Sequence, residues 1–118
     1  MKCQFCPEQE CYVDADLPRS PKIDLYQCHE CKAYYRTVAG DESILLTTSW
    51  RVYIGDKQYF IKSYNGQTGN APEFVVSYYT TNSEGKQYWE EVHRFDFVPK
   101  DWTPKNSAHK LKTYLPFL

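Results

Sequence analysis

From Ser43 onward the chain alternates between apolar and polar positions. In SILLTTSWRVYI, Thr48, Trp50, Val52 and Ile54 fall on one side, and Thr47, Ser49, Arg51 and Tyr53 on the other. That is the period-two signature of a strand with one face in a core. Gly55-Asp56 follows as a two-residue hairpin turn, with Gly in the first central position that a type II′ turn prefers. KQYFIKSY is the partner strand. NGQTGNAP then reads as a loop, EFVVSYYTT as a third strand, TNSEGK as a hairpin loop and QYWEEVHRFDFV as a fourth strand. In that fourth strand, alternation puts Trp89, Glu91, His93, Phe95 and Phe97 on one face and Tyr88, Glu90, Val92, Arg94 and Asp96 on the other.

After Pro99 the period changes. Thr103 is suited to cap a helix N-terminus and Pro104 to occupy its first turn. Ala108, Leu111, Tyr114 and Leu115 recur at helical spacing until Pro116. The pattern predicts a small α+β chain, mainly β. Residues 41–118 form a four-stranded antiparallel sheet closed on one face by a C-terminal helix. Residues 1–40 are expected to form a second element, standing apart or packed with the sheet as one unit, with Ala39-Gly40-Asp41-Glu42 as the joint.

Composition agrees with an ordered chain. The 118 residues are 42% hydrophobic and 17% aromatic, with eleven tyrosines and one methionine, which favours a strand-built core and excludes a disordered polymer. The net charge is −1, and neither half is a basic block that would advertise non-specific phosphate binding. The one local excess is near the C-terminus, where Lys100, Lys105, Lys110 and Lys112 face Asp101. No stretch approaches the roughly 20 apolar residues of a membrane span, and the N-terminus lacks the apolar core of a signal peptide. The expectation is a soluble protein of a reducing cytoplasm, in which thiolates outlast disulfides.

All five cysteines lie within the first 31 residues. Cys3 and Cys6 form one C-x2-C pair and Cys28 and Cys31 another, with Glu8 to Asp24 between them as an exposed loop or short strand. Two thiolates three positions apart on a tight turn point to one side. Two such turns facing each other make the tetrahedral S4 cage that suits Zn2+. A handful of core cysteines, or an iron or redox site, are the competing readings. An iron site of the rubredoxin kind also uses two C-x2-C turns, but its Gly- and Pro-rich surroundings are missing here. Cys11 could replace Cys6 as a ligand but reads better as a small buried residue, and the ring of His29, inside the second turn, as facing solvent.

Residues 1–38 resemble a zinc ribbon, on C3-Q-F-C6 and C28-H-E-C31-K, with strand-like Tyr26-Gln27 entering the second turn and Lys32–Val38 leaving it. Many ribbon turns carry Gly just after the second Cys, whereas Pro7 and Lys32 stand there in this chain. The resemblance implies one structural zinc ion held by Cys3, Cys6, Cys28 and Cys31. A filled S4 sphere leaves no position for water or substrate.

Three functional readings stay open on sequence. The first is a non-enzymatic interaction module that binds a protein. Ribbons are common in transcription and other nucleic-acid machines, and small tyrosine-rich chains without further motifs resemble accessory factors of bacterial viruses. The second is direct nucleic-acid binding, with Lys32, Arg36, Lys110 and Lys112 on phosphates and tyrosines such as Tyr34-Tyr35 as stacking surfaces. The third is an enzyme using Glu91 and His93 as neighbours on one strand face. The balanced charge favours a protein partner.

Overall fold

The computed structural model describes residues 1–13, 22–64 and 72–114. Its strands are β1 (Tyr12–Val13), β2 (Ile23–Gln27), β3 (Tyr34–Val38), β4 (Asp41–Ile54), β5 (Lys57–Tyr64), β6 (Glu73–Thr81) and β7 (Gln87–Phe95), followed by the helix α1 (Ser107–Tyr114). Each strand pairs antiparallel with its neighbour in the chain, so the sheet is a meander in the order β1 to β7. β1 supplies only two residues, leaving six strands of working length.

The four strands expected after residue 41 are β4 to β7, but the sheet does not stop there; it has seven strands. β4 is 14 residues long, and β5 pairs only with its second half, from Thr47 to Ile54. β3 pairs along the opposite edge of β4, with Tyr34, Tyr35 and Arg36 opposite Ser49, Thr48 and Thr47, and with Thr37 opposite Leu45 and Val38 opposite Asp41 in the first half. Ala39-Gly40 is the tight turn of that hairpin, with Gly40 at φ +81°. The segment leaving the second cysteine turn is therefore built into the same sheet as the rest.

The alternation in β4 is observed. Trp50 and Val52 are buried, while Arg51 and Tyr53 are exposed. Opposite them, Tyr59 and Ile61 of β5, then Phe74 and Val76 of β6, line the same core face. Phe74 sits at the centre, with ring centroids 6.1 Å from Trp50, 5.9 Å from Phe95 and 5.2 Å from Trp102.

In β7 the alternation breaks. Val76 lies opposite His93 but Ser77 lies opposite Glu91, so Val92 is an extra residue in the ladder. A bulge of this kind reverses the parity of everything before it. His93 consequently shares the core side with Phe95, ring to ring at 4.4 Å. Glu91 turns to the other face, where it accepts from Arg94 Nε at 2.9 Å. The expected common face of Glu91 and His93 is overturned, and with it the geometry of an acid–base pair.

The helix opens at Ser107, one turn later than Thr103 and Pro104 indicate, and the Thr103 cap closes the turn that leads into it. Thr103 Oγ1 accepts from the Asn106 amide (3.3 Å), and Asn106 Oδ1 accepts from the Thr103 amide (2.8 Å), a reciprocal cap of the capping-box kind. Leu111 is fully buried and Ala108 packs against the core. Ser107 locks helix to sheet: its Oγ accepts from Trp50 Nε1 at 2.8 Å and donates to the Thr103 carbonyl at 2.5 Å. Leu115 and Pro116, expected at the helix end, lie outside the described residues, as do most of the NGQTGNAP loop and much of the Glu8–Asp24 loop.

Candidate functional site

The four paired cysteines come together. Their sulfur atoms all lie within 4.8 Å of one another, and Cys3 Sγ is 3.6 Å from Cys31 Sγ. Thiolates around a zinc ion at 2.3 Å would be separated by about 3.8 Å, whereas a disulfide needs about 2.05 Å. All five cysteines are free thiols. Cys3, Cys6 and Cys28 are buried and Cys31 is half-buried.

Each pair is shaped by local backbone bonds. In the first turn Cys3 N donates to Gln9 O (3.1 Å) and Gln9 N to Cys6 O (2.8 Å), while Phe5 N points at Cys3 Sγ (3.4 Å). In the second, Lys32 N donates to Cys28 O (2.9 Å) and Cys28 N to Ala33 O (3.0 Å). This turn requires a left-handed residue after Cys31, and Lys32 takes it at φ 65°, the sole non-glycine with positive φ among the described residues. A side chain with a Cβ resists that conformation by about 1–2 kcal/mol. Lys32→Gly is therefore expected to stabilise the protein by about 1 kcal/mol, part of the gain being offset by glycine's freer unfolded state. Denaturant unfolding of the two proteins measures the difference, and a destabilised glycine variant contradicts the assignment.

Tyr35 completes the cluster, and sequence reasoning missed it. As a β3 residue facing the core it is fully buried. Its hydroxyl lies 3.1 Å from Cys3 Sγ and accepts from the Gln4 amide at 3.0 Å. It is a support for a thiolate, not a stacking surface. The period-two pattern of Tyr34-Tyr35 carried the information that one ring must turn inward, without saying which.

The electrostatics follow from these contacts. For Cys3 the largest single influence is burial, which disfavours the thiolate. The hydrogen bond from Tyr35 and the Phe5 amide outweigh it together with the neighbouring sulfurs, and the thiol is brought down to about 7. Burial pushes Cys6 and Cys31 up, and a bound cation would favour their ionised forms. Cys11 is buried beside Cys3 and Cys28 and is pushed up to about 12, mainly by burial. It remains a neutral thiol outside the set of four.

These facts set the sign of an acid titration. Tyr35 donates to the Cys3 thiolate and lowers its pKa. Tyr35→Phe removes the donor, raises that pKa and lets protons displace a metal earlier as pH falls. The pH midpoint of metal release, followed with a chromogenic chelator, is expected to move upward in Tyr35→Phe. An unmoved midpoint would separate Tyr35 from the cluster's chemistry.

The second feature is the face of the sheet away from the core. Cross-strand pairing aligns Gln27, Tyr34, Ser49, Lys62, Val75 and Arg94 in one row and Leu25, Arg36, Thr47, Tyr64 and Glu73 in the next. Arg51 and Phe60 stand beside them. Ser49 and Thr47, the short side chains of these rows, are buried. Two shallow hollows meet at Arg51. One, of about 360 Å³, is lined by Phe60, Lys62, Trp89 and Arg94 among others. The other, of about 400 Å³, is lined by Cys31, Lys32, Tyr34 and Tyr53 among others. The half-buried cysteine thus opens onto this face.

The remaining residues singled out on sequence are divided by the fold. Lys32 and Arg36 belong to the open face. Lys110 and Lys112 sit on α1, which packs on the opposite side, and Lys110 is paired with Asp101 at 2.6 Å. His29 is exposed, with its ring 5.4 Å from Tyr12, and is not part of the sulfur cluster.

Comparison with protein-family models, curated proteins and solved structures found no match to this chain. No helix among the described residues is long and apolar enough to cross a membrane.

Proposed function

We propose that this chain is a non-enzymatic binding module, in which a structural zinc ion of the zinc-ribbon type closes one end of a β-meander whose open face meets a macromolecular partner. The observation that carries the reading is the convergence of Cys3, Cys6, Cys28 and Cys31 within 4.8 Å. Four thiolates fill a tetrahedral zinc sphere, so the ion supplies cross-linking and no chemistry on a substrate. The backbone donors at Cys3 and the Tyr35 hydroxyl fit that charge-rich set. Glu91 and His93 point to opposite faces, which leaves the enzymatic reading without a paired acid and base.

The module's working surface is the open face, because its side chains are held in rows by backbone pairing while the other face is filled by core and helix. The expected protein partner rested on balanced overall charge. That balance conceals a local excess of cations on this face. The test is affinity capture from the source cell with zinc-loaded protein, run beside an Arg51→Glu/Trp89→Ala variant that retains zinc. A partner held by the first and lost by the second supports the reading. Identical sets of bound molecules would place function elsewhere on the surface.

A further inference from the structure

The open face combines two features that one class of polymer satisfies together. The first is charge. The rows of β3 to β7 present Arg36, Arg51, Lys62 and Arg94, against Glu73 and Glu91. Both carboxylates are engaged by one cation, Arg94, at 2.6 Å each. Arg36 and Arg51 have no ion-pair partner among the described residues, and Lys62 lies over the Tyr64 ring at 5.4 Å. Lys32 adds a fifth cation at the rim, beside Cys31. In a chain of net charge −1, this face is a cationic exception.

The second feature is rings. Trp89 is 39% exposed and lies 5.5 Å from Phe60 and 4.8 Å from Tyr79. Tyr53 is 61% exposed and borders the second hollow together with Tyr34. Rings therefore stand at both ends of the groove, with Arg51 and Lys62 between them. From β3 to β7 the row spans four strand spacings, about 19 Å at about 4.8 Å each.

Resting on the reading of this face as the working surface, we infer that its ligand is single-stranded nucleic acid, with bases stacked on Trp89, Phe60 and Tyr34 and phosphates drawn to Arg36, Arg51 and Lys62. Unpaired bases expose π-faces that any such ring can accept, and a charged backbone follows a cationic groove without sequence readout. An acidic protein segment would satisfy the cations and leave the rings without a matching partner. A duplex hides its bases and loses the stacking contribution.

The experiment is fluorescence anisotropy of labelled oligo(dT) and oligo(U) 12-mers with the zinc-loaded protein, from 50 to 200 mM salt. With about three phosphates neutralised, the logarithm of affinity should fall with the logarithm of salt at a slope near −2. Trp89→Ala should weaken binding by about 5- to 150-fold, the range for loss of one stacked base. Arg51→Ala should make the slope shallower by about 0.7. Lys112→Ala, on the opposite side, should change neither. Preference for U over dT would name RNA as the ligand and the reverse DNA; both support the inference. Circular dichroism and zinc content check that each variant is folded. No binding at 50 mM salt, equal affinity for a duplex of the same length, or binding untouched by Trp89→Ala and Arg51→Ala would each overturn it. If oligonucleotides fail while the Arg51→Glu/Trp89→Ala variant still loses a protein partner, the ligand class is wrong and the binding-module reading stands.

Discussion

Replacing Cys28 with Ser is expected to release zinc and unfold the chain. Purified wild-type protein should contain about one zinc per chain by elemental analysis, and the variant close to none. The expected size of the effect comes from comparing two magnitudes. Structural zinc sites of this kind contribute roughly 10–16 kcal/mol at neutral pH, and whole domains are stable by only about 5–15 kcal/mol. Loss of the ion would therefore remove an amount comparable to or larger than what the fold has in reserve. The damage should not stay local. Cys28 is fully buried, and the sulfur cluster is continuous with a core that includes Tyr35, Trp50 and Phe74. Strong chelators at slightly acidic pH should reproduce the result. Cys11→Ala is the internal control: it truncates an ordinary core side chain, costs about 1 kcal/mol, and leaves zinc content unchanged. A Cys28→Ser protein that melts like wild type would sink the structural role of the metal.

Trp50→Ala is the largest expected effect away from the sulfur cluster. Trp50 touches three parts of the molecule. Its ring meets Phe5 of the first cysteine turn at 5.3 Å and Phe74 of the central sheet at 6.1 Å, and its Nε1 donates to Ser107 at the start of α1. Truncation of a buried Trp costs about 3–5 kcal/mol through lost burial and an unfilled cavity. In a chain of this size that is most of the stability. Trp50→Phe keeps much of the ring and loses the hydrogen bond, so a smaller penalty of about 1–2 kcal/mol is expected. Because Phe5 lies between Cys3 and Cys6, Trp50→Ala should also speed zinc transfer to a competing chelator. Equal unfolding midpoints for Trp50→Ala and wild type would show that the cysteine turn, sheet and helix do not depend on this contact.

Zinc linkage gives these two experiments a common readout. Any change that disorders the first turn lowers metal affinity, and any loss of metal lowers fold stability. The two variants differ in order of events: Cys28→Ser removes a ligand, whereas Trp50→Ala leaves all four thiols and weakens what aims them.

Much of the architecture was legible in the chain. The strand alternation around Trp50, the Gly55-Asp56 turn, the loop at residues 82–86 and the Thr103 cap are local signals, set by residues within a few positions of one another. The pairing of Cys3-Cys6 with Cys28-Cys31 was legible for a similar reason: a C-x2-C turn is local, and two such turns together offer the four thiols of one tetrahedral metal site. Three features were not legible. The bulge at Val92 reverses the facing of Glu91 relative to His93, and nothing in QYWEEVHRF marks an extra residue until the strand is laid against β6. The extension of the sheet through β3 depends on Tyr34–Val38 pairing along the edge of β4 that β5 leaves free, a pairing visible only once the register is known. Tyr35 is buried against Cys3, while its neighbour Tyr34 faces the groove.

The sequence by itself determined that this is a small, mostly β protein with four thiols placed for one metal ion, because periodicity and turn chemistry act over short spans of chain. Only the tertiary structure decided where its charge resides. Arg36, Arg51, Lys62 and Arg94 are scattered over 59 positions, in a chain whose total charge is nearly zero. Antiparallel pairing brings residues distant in sequence to adjacent rows spaced about 4.8 Å apart, and in doing so gathers these cations and the rings of Tyr34, Phe60 and Trp89 onto one face.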